Sequence, residues 1–176
     1  MRRGPCAGVT TRVVLVGDTH LPRFGRVLPA PLADALREVD RILHVGDHTA
    51  GFVLDLLETF APTHAVAGDN DPPELVEGLG LTRVVTVEQA RIGMTHGHTG
   101  PGRTTPDRAL RTFADAEPPV DAIAFGHSHQ PMAERRNGVW LLNPGSPTDQ
   151  RREPTYCFMV VEVDGSELRP ELVRFG

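Results

Sequence analysis

Polar side chains with metal-binding chemistry recur directly after apolar runs in this chain, at six separate places. The residues concerned are Asp18, His20, Asp47, Asp69, His96, His98, His127, His129 and Asn143. Carboxylate and imidazole groups without thiolates are typical ligands of Mn, Fe or Zn in enzymes, whereas structural zinc sites are rich in cysteine. The side-chain types therefore predict a site for divalent metal ions.

These side chains are more numerous than the ligands of one ion. Two ions about 3.5–4 Å apart, bridged by one carboxylate, would use about seven of them. Such a pair acidifies a bridging water to hydroxide and neutralises the oxygens of a phosphoryl group during in-line displacement. Hydrolysis of a phosphoester is therefore the chemistry that the residues favour.

The apolar runs before these residues have the composition of buried strands. Val13–Val16 is rich in β-branched residues and is followed by Gly17, and Ile42–Val45 and His64–Ala67 are also followed by glycine. Taken singly, an Asp or His in such a place could equally cap a strand end or form a turn. The carboxyl ends of strands in an α/β sheet line one crevice, so these residues are expected to converge.

Helical patterns alternate with the first three strands. Pro31–Val39 and Ala50–Phe60 carry apolar residues at helical spacing, and Thr49 is placed to cap the second helix. This order predicts βαβ units and a parallel sheet. The later segments predict a hairpin of residues 83–87 and 91–95 and a helix at 106–116. They also predict short strands at 122–125 and 139–142, and a closing hairpin of 156–163 and 168–175.

Length and composition are those of an ordinary globular chain. The 176 residues, with a net charge of -5 and 39% hydrophobic residues, fit a single domain over residues 12–176. The acidic balance argues against nucleic acid or an anionic membrane as the main partner. Residues 1–11 hold two arginines but no apolar segment of a secretory signal, so they are interpreted as a flexible tail.

The sequence also bears on redox state and compartment. Cys6 and Cys157 share no motif spacing and are interpreted as free thiols. No apolar run is long enough to span a bilayer. The protein is therefore expected to be cytoplasmic, and the sequence leaves open whether it forms a homo-oligomer.

The order of the motifs resembles that of the calcineurin-like metallophosphoesterases. The matching segments are Asp18-x-His20, Gly46-Asp47, Gly68-Asp69-x-Asp71, His96-Gly97-His98, Gly126-His127-Ser128-His129 and Asn143-Pro144-Gly145-Ser146. Their spacing is most similar to a small branch of the family that includes bacterial and archaeal phosphodiesterases and the retromer subunit of the same fold. The resemblance runs from about Val13 to the end of the chain.

This resemblance implies a four-layer α-β-β-α sandwich, in which helices flank two mixed β-sheets and a dinuclear site lies at one edge. The ligands implied for the first ion are Asp18, His20, Asp47 and His129. Those implied for the second ion are Asp47 as the bridge, Asp69, His96 and His127. His98 and residues 143–146 would support the site from nearby.

Two positions differ from the pattern of the active family members. Position 69 is usually Asn, and Asp69 adds negative charge where the phosphate approaches. The retromer subunit, regarded as a scaffold, carries the same Asp but lacks the bridging carboxylate that Asp47 provides here. Larger members have a histidine as the acid after position 69, whereas Asn70 cannot donate a proton at neutral pH. This favours substrates with better leaving groups, or another acid such as His98.

The sequence therefore predicts a phosphodiesterase, and less readily a phosphomonoesterase. The enzyme would hold two divalent ions, with Mn as the preferred metal and Fe, Zn or Ni as the alternatives. Its catalytic residues would be Asp47, Asp69 and His98, and its substrate contacts would be His48, Asn70 and Asn143. The expected partner is a small phosphoester substrate. Two alternatives stay open, namely a weak or inactive protein-interaction scaffold of the same fold and a metal-dependent nucleotide-binding sensor. Asp47 favours the enzyme, and Asp69 favours the scaffold.

Overall fold

The computed structural model describes residues 10–176, which form ten strands and four helices. The strands are β1 (Thr11–Val16), β2 (Arg41–His44), β3 (Thr63–Ala65), β4 (Thr82–Val87), β5 (Ala90–Thr95), β6 (Ala122–Ala124), β7 (Met132–Arg136), β8 (Val139–Asn143), β9 (Tyr156–Asp164) and β10 (Glu167–Phe175). The helices are α1 (Ala30–Leu36), α2 (Phe52–Glu58), α3 (Pro73–Leu79) and α4 (Thr105–Thr112). Most of the predicted tail, with Cys6, lies outside the described residues, while Thr11 already belongs to β1.

The strands form two mixed sheets of five strands each. Sheet A has the order β10-β9-β1-β2-β3, and sheet B has the order β4-β5-β6-β8-β7. Strands β1, β2 and β3 are parallel to one another, as are β5, β6 and β8. Because parallel strands end at the same edge, each sheet brings three strand ends side by side.

Alternate residues of β1 pack into two different cores. Val13 and Leu15 lie between the two sheets, where they meet Met94 of β5. Val14 and Val16 point the other way, into the core that sheet A forms with α1 and α2. A third core lies under α4 on the outer face of sheet B. The predicted four-layer α-β-β-α arrangement is therefore confirmed.

The predicted parallel strands and both predicted hairpins are present, with bounds shifted by no more than about two residues. Two elements were not predicted. Strand β7 is mostly exposed at a sheet edge, and α3 has no buried residue. Elements that bury little apolar surface leave no hydrophobic period in the sequence. The helices of the described part are all short, and none of them could cross a membrane.

Thr49 does not cap a helix, contrary to the prediction. Helix α2 begins after Gly51, which makes no capping side-chain bond. The Thr49 hydroxyl instead donates to the carbonyl of Leu21 at 2.6 Å, and its backbone N–H donates to Asp71 at 2.7 Å. Thr49 therefore joins the turn after β2 to the segments that follow β1 and β3.

Candidate metal centre

The polar residues that follow the parallel strands meet at one edge of the two sheets. Sheet A contributes the turns after β1, β2 and β3, and sheet B those after β5, β6 and β8. Five expected ligands have left-handed φ angles between 46° and 65°, namely Asp18, His20, Asp47, His127 and His129. Side chains other than glycine adopt this conformation at a cost, and such residues cluster at functional sites. The turns thereby aim these side chains into one shared space.

Two of the turns approach each other closely because glycine lacks a side chain. A Cβ atom on Gly46, whose φ is +97°, would lie 2.7 Å from Nδ1 of His96. A Cβ atom on Gly68 would overlap the side chain of Asp47. Only glycine accepts both the backbone angle and the contact at position 46.

One group of donor atoms combines Asp18, His20 and His129. Nε2 of His129 lies 3.3 Å from Oδ1 of Asp18 and 3.3 Å from Nε2 of His20. Nε2 of His20 also lies 3.6 Å from Oδ2 of Asp47. All four side chains are buried. Two imidazole nitrogens and two carboxylate oxygens therefore face one another away from bulk water.

A second group is arranged around His96. Its Nε2 atom lies 3.0 Å from Oδ1 of Asp69, 3.4 Å from Oδ2 of Asp47 and 3.9 Å from Oδ1 of Asp18. Asp47 therefore contacts residues of both groups, since its Oδ2 atom lies between His20 and His96. This is the position that a bridging carboxylate requires.

His98 and His127 border the second group on its open side. Nδ1 of His127 lies 3.1 Å from Oδ1 of Asp69, and His98 joins Asp69 and His96 in a set of ligand atoms within 4.8 Å of one another. The Asp69 and His127 side chains are 40% and 31% exposed, whereas those of Asp47 and His96 are buried. The centre therefore opens to solvent beside Asp69.

Backbone carbonyl groups determine how two of the imidazole rings are oriented. Nδ1 of His96 lies 2.7 Å from the carbonyl oxygen of Val45, and Nδ1 of His129 lies 2.6 Å from that of Asp149. A carbonyl oxygen only accepts, so in both rings Nδ1 is the donor. Each Nε2 atom is thereby directed at the carboxylates, as in metal-ligating histidines.

Buried polar atoms approach one another here without forming hydrogen bonds. Among the described residues, neither Oδ1 of Asp18 nor Nε2 of His96 has a hydrogen-bond partner. Burial alone would lower the pKa of His96, but Asp47 and Asp69 outweigh burial and raise it well above the ordinary value. The carboxylates thus stabilise positive charge at this site, and its carboxylate and imidazole donors fit divalent metal ions.

One carboxylate outside the expected ligand set connects the turns after β2 and β3. Asp71 accepts backbone N–H bonds from Asp47 at 3.0 Å, from Gly68 at 2.8 Å and from Thr49 at 2.7 Å. Nδ1 of His48 is a fourth donor, at 3.0 Å. Asp71 is itself buried, so its two oxygens are shared among these four groups.

His48 does not have the position expected of a substrate contact. Its side chain is completely buried and stacks on His44 with the ring centroids 3.8 Å apart. One ring nitrogen is bonded to Asp71. The ring thus faces the interior, with the left-handed residues Asp47 and Thr49 on either side of it in the chain, and substrate contact by His48 stays a prediction.

Asn143 is also placed differently from a substrate contact. It is fully buried, and its Nδ2 group donates to the carbonyl of Gly126 at 3.0 Å and to Oγ of Ser128 at 3.1 Å. Its Oδ1 atom accepts from the N–H of Gly145 at 2.8 Å. These bonds use the whole amide group to support the turn that carries His127 and His129. This position agrees with the supporting role that the family resemblance implied.

Asn70 is exposed, but its polar groups are directed at Asp47. Its backbone N–H donates to Oδ1 of Asp47 at 2.9 Å, and its Nδ2 group donates to Oδ2 at 2.7 Å. Burial alone would raise the pKa of Asp47, but His96 and Asn70 lower it further than burial raises it. His96 and Asn70 together therefore favour the ionised form of this carboxylate.

Two hydroxyl groups after β8 support the turn after β1. The Ser146 hydroxyl, in the motif that the family resemblance implied as a support, donates to the carbonyl of Asp18 at 2.7 Å. The Thr148 hydroxyl, which sequence reasoning missed, donates to the carbonyl of Thr19. The carbonyls of Val45 and Asp149 gave no signal, because any residue type presents the same group.

Two mixed sheets with this donor set along one edge are the architecture of a phosphoesterase family. The family model described as the calcineurin-like phosphoesterase superfamily domain matches residues 11–166, and the chain belongs to this superfamily. The resemblance inferred from the motifs is therefore confirmed.

Individual relatives agree with this assignment. A probable metallophosphoesterase from Methanothermobacter thermautotrophicus is 37% identical over 163 residues, which cover 92% of this chain and 91% of the relative. A Thermotoga maritima protein solved by NMR is 33% identical, with a TM-score of 0.70 and coverage of 94% and 99%. Vps29 from Entamoeba histolytica, crystallised with Zn²⁺, is 27% identical, with a TM-score of 0.73 and coverage of 94% and 99%.

Proposed function

We propose that the protein is a phosphodiesterase that depends on two divalent metal ions. The observation that carries this proposal is the convergence of two groups of donor atoms, the first of them buried, with the buried Asp47 carboxylate next to His20 of one group and His96 of the other. When bound, two ions supply Lewis acidity toward phosphoryl oxygens and acidify a water for attack on phosphorus.

The proposed ligands follow the two groups of donor atoms. Those of the first ion are Asp18, His20, Asp47 and His129, and those of the second are Asp47, Asp69, His96 and His127. Carboxylates with imidazoles suit manganese, which we take as the first choice. Zinc is the alternative, because the Vps29 of Entamoeba histolytica was crystallised with Zn²⁺.

Residues of the chain itself would orient the metal ligands and protonate the leaving group. The carbonyls of Val45 and Asp149 hold the two imidazoles in one tautomer, and Asn70 holds the Asp47 carboxylate. His98 lies on the open side beside Asp69, where it can donate a proton to the departing oxygen. Asp47, Asp69 and His98 are therefore the proposed catalytic residues.

Asp69 favours a second candidate function, a protein-interaction scaffold of the same fold. His96 lowers the pKa of Asp69 to about 2 against the opposing effect of burial, so this residue is a carboxylate at neutral pH. Its side chain is 40% exposed on the open side of the centre. A negative charge there repels an approaching phosphoester and weakens binding.

Turnover by metal-reconstituted protein tests the proposal. The protein is stripped of metal, refilled with Mn²⁺ and assayed with bis(4-nitrophenyl) phosphate and 4-nitrophenyl phosphate. We expect faster hydrolysis of the diester. Asp47→Asn should lower the rate of hydrolysis. The expected loss is larger than the loss of about 10–100-fold that changes in supporting residues of metal sites typically cause. Asp121→Asn is the matched control and should behave like the parent. It also removes one negative charge, from a carboxylate that accepts a hydrogen bond from the N–H of Arg91.

The Asp69→Asn variant separates the two candidate functions. An inert parent with an active Asp69→Asn variant would show that this carboxylate suppresses turnover, and the scaffold would become the better conclusion. Metal content is measured by mass spectrometry in every sample. Inactivity of all variants with two ions bound would overturn the phosphodiesterase proposal.

A further inference from the structure

A polar cavity of about 350 Å³ adjoins the candidate metal centre. It lies between the turn after β6 and the loop before β9. Its lining residues are Ser128, Gln130, Gln150, Arg151, Arg152 and Glu153, all of them polar or charged. A volume of this order holds a small organic group.

The cavity and the metal centre share part of one wall. Ser128 stands between His127 and His129 in the chain and lines the cavity. On the other side, the carbonyl of Asp149 binds Nδ1 of His129 at 2.6 Å, and Gln150 is the next residue. The cavity therefore borders the turn that carries the expected ligands His127 and His129.

The loop that carries the arginines is held in place on the side of the metal centre. The Thr148 hydroxyl donates to the carbonyl of Thr19, and the N–H of Asp149 donates to Oγ of Ser146 at 2.9 Å. On the opposite wall, Oγ of Ser128 accepts from the N–H of Gln130 at 3.3 Å. The backbone on both sides of the cavity is thus fixed before a ligand arrives, which lowers the entropic cost of binding.

The lining has the chemistry of an anion site. Arg151 and Arg152 supply two guanidinium groups to the lining and Glu153 supplies one carboxylate, while the Asp149 carboxylate beside the cavity pairs with Arg151. Nε of Arg151 lies 3.7 Å from Oδ2 of Asp149, which positions this side chain. Guanidinium groups bind phosphate through paired N–H bonds. Among residues 10–176, no aromatic or aliphatic side chain lines the cavity, so none is present there on which a nucleobase could stack.

We infer that this cavity is a subsite for a second phosphate group of the substrate. The substrate class is then a phosphoester whose organic part is small and hydrophilic and bears another phosphate, such as a phosphorylated sugar or polyol. The inference rests on the proposed function, because the scissile phosphate must lie at the metal centre.

Bisphosphonates test the subsite without turnover, because their C–P bonds are not hydrolysed. Calorimetry compares propane-, butane- and pentane-1,ω-bisphosphonate with butylphosphonate on the Mn²⁺-loaded protein. We expect one bisphosphonate to bind at least tenfold more tightly than the monophosphonate. Arg152→Ala and the Arg151→Ala/Arg152→Ala double variant should reduce this ratio to about one. Arg111→Ala, which removes an exposed arginine on α4, is the matched control and should preserve it.

Each outcome identifies which proposal fails. Equal affinities for mono- and bisphosphonates, or a tenfold preference that survives in the double variant, would overturn the subsite alone. If butylphosphonate does not bind to the loaded protein, the metal centre does not hold a phosphoryl group. The proposed function would then fall, and the subsite with it.

Discussion

At the scale of single residues, the stability of the centre depends on side chains that are not themselves expected ligands. Asp71 is the clearest case, since one carboxylate satisfies three backbone N–H groups and the ring of His48. An amide in its place would present its own N–H groups to some of these donors. Each buried donor left unpaired costs about 1–3 kcal/mol.

Asp71→Asn should therefore lower the free energy of unfolding of the metal-free protein by at least about 1–3 kcal/mol. Urea denaturation measures this value. Asp121→Asn is the control. The Asp121 carboxylate accepts a backbone hydrogen bond from Arg91 at 2.7 Å, and this change should lower the free energy of unfolding by less. Equal stability of the two variants would contradict the role assigned to Asp71.

The thiol of Cys157 gives a second prediction for a single residue. Cys157 is buried as a free thiol in β9, and burial raises its pKa. Because the thiolate is the reactive form, the folded protein should react very slowly with a thiol reagent such as DTNB. The measurement uses Cys6→Ser, so that one thiol is counted. Reaction should become complete in denaturant, and rapid reaction in the native state would show that this strand opens.

The expected ligands could be predicted from the sequence because each follows an apolar run in a fixed order. Their convergence is seen in the structure, while metal binding by these residues stays a prediction. The structure buries the side chains of His48 and Asn143, which the sequence did not predict, and substrate contact by either residue stays a prediction. A motif gives the position of a residue along the chain but not the direction in which a tight turn points its side chain.

At the scale of elements, the turn after β3 must lie directly against Asp47. Gly68 permits this contact, because a Cβ atom there would overlap the Asp47 side chain. Gly68→Ala must displace either the turn or the bridging carboxylate. We expect the variant to fold but to bind fewer than two metal ions, as measured by mass spectrometry after Mn²⁺ loading.

Gly78→Ala is the matched control for this change. Gly78 lies in α3, and no heavy atom lies within 4 Å of the position its Cβ would occupy. Alanine favours a helix over glycine, so the control should gain up to about 1 kcal/mol of stability and keep both ions. Two ions in Gly68→Ala would show that the turn can move without loss of the site.

The elements themselves were predictable to the extent that they bury apolar side chains. Strand β1 is buried on both faces and reads as a continuous apolar run, whereas the exposed β7 has charged residues along most of its length. The cap expected at Thr49 failed because its hydroxyl bonds to Leu21, a partner 28 residues away. Local patterns do not encode such distant partners.

At the scale of the whole molecule, the two sheets meet at the candidate centre. Ions bound there would stabilise the folded chain over the unfolded one, which has no assembled site. The gain is about 2.7 kcal/mol when free metal is at 100 times Kd. Thermal unfolding with Mn²⁺ and with EDTA measures it.

We expect a clear rise in Tm with Mn²⁺ for the parent protein and a smaller rise for Asp47→Asn, which loses the shared ligand. The Asp121→Asn variant controls for the loss of one negative charge and should respond like the parent. An identical Tm with Mn²⁺ and with EDTA would contradict a metal centre that spans the sheets.

The donors are divided unequally between the sheets. Every expected carboxylate ligand follows a strand of sheet A, and sheet B contributes imidazoles but no carboxylate. Neither half is a complete ligand set, so metal affinity depends on how well the two sheets are docked. A substitution in the core between them, at Leu15 or Met94 near the ends of β1 and β5, would thus change the site at the neighbouring edge. Metal affinity would then report on the packing between the two sheets.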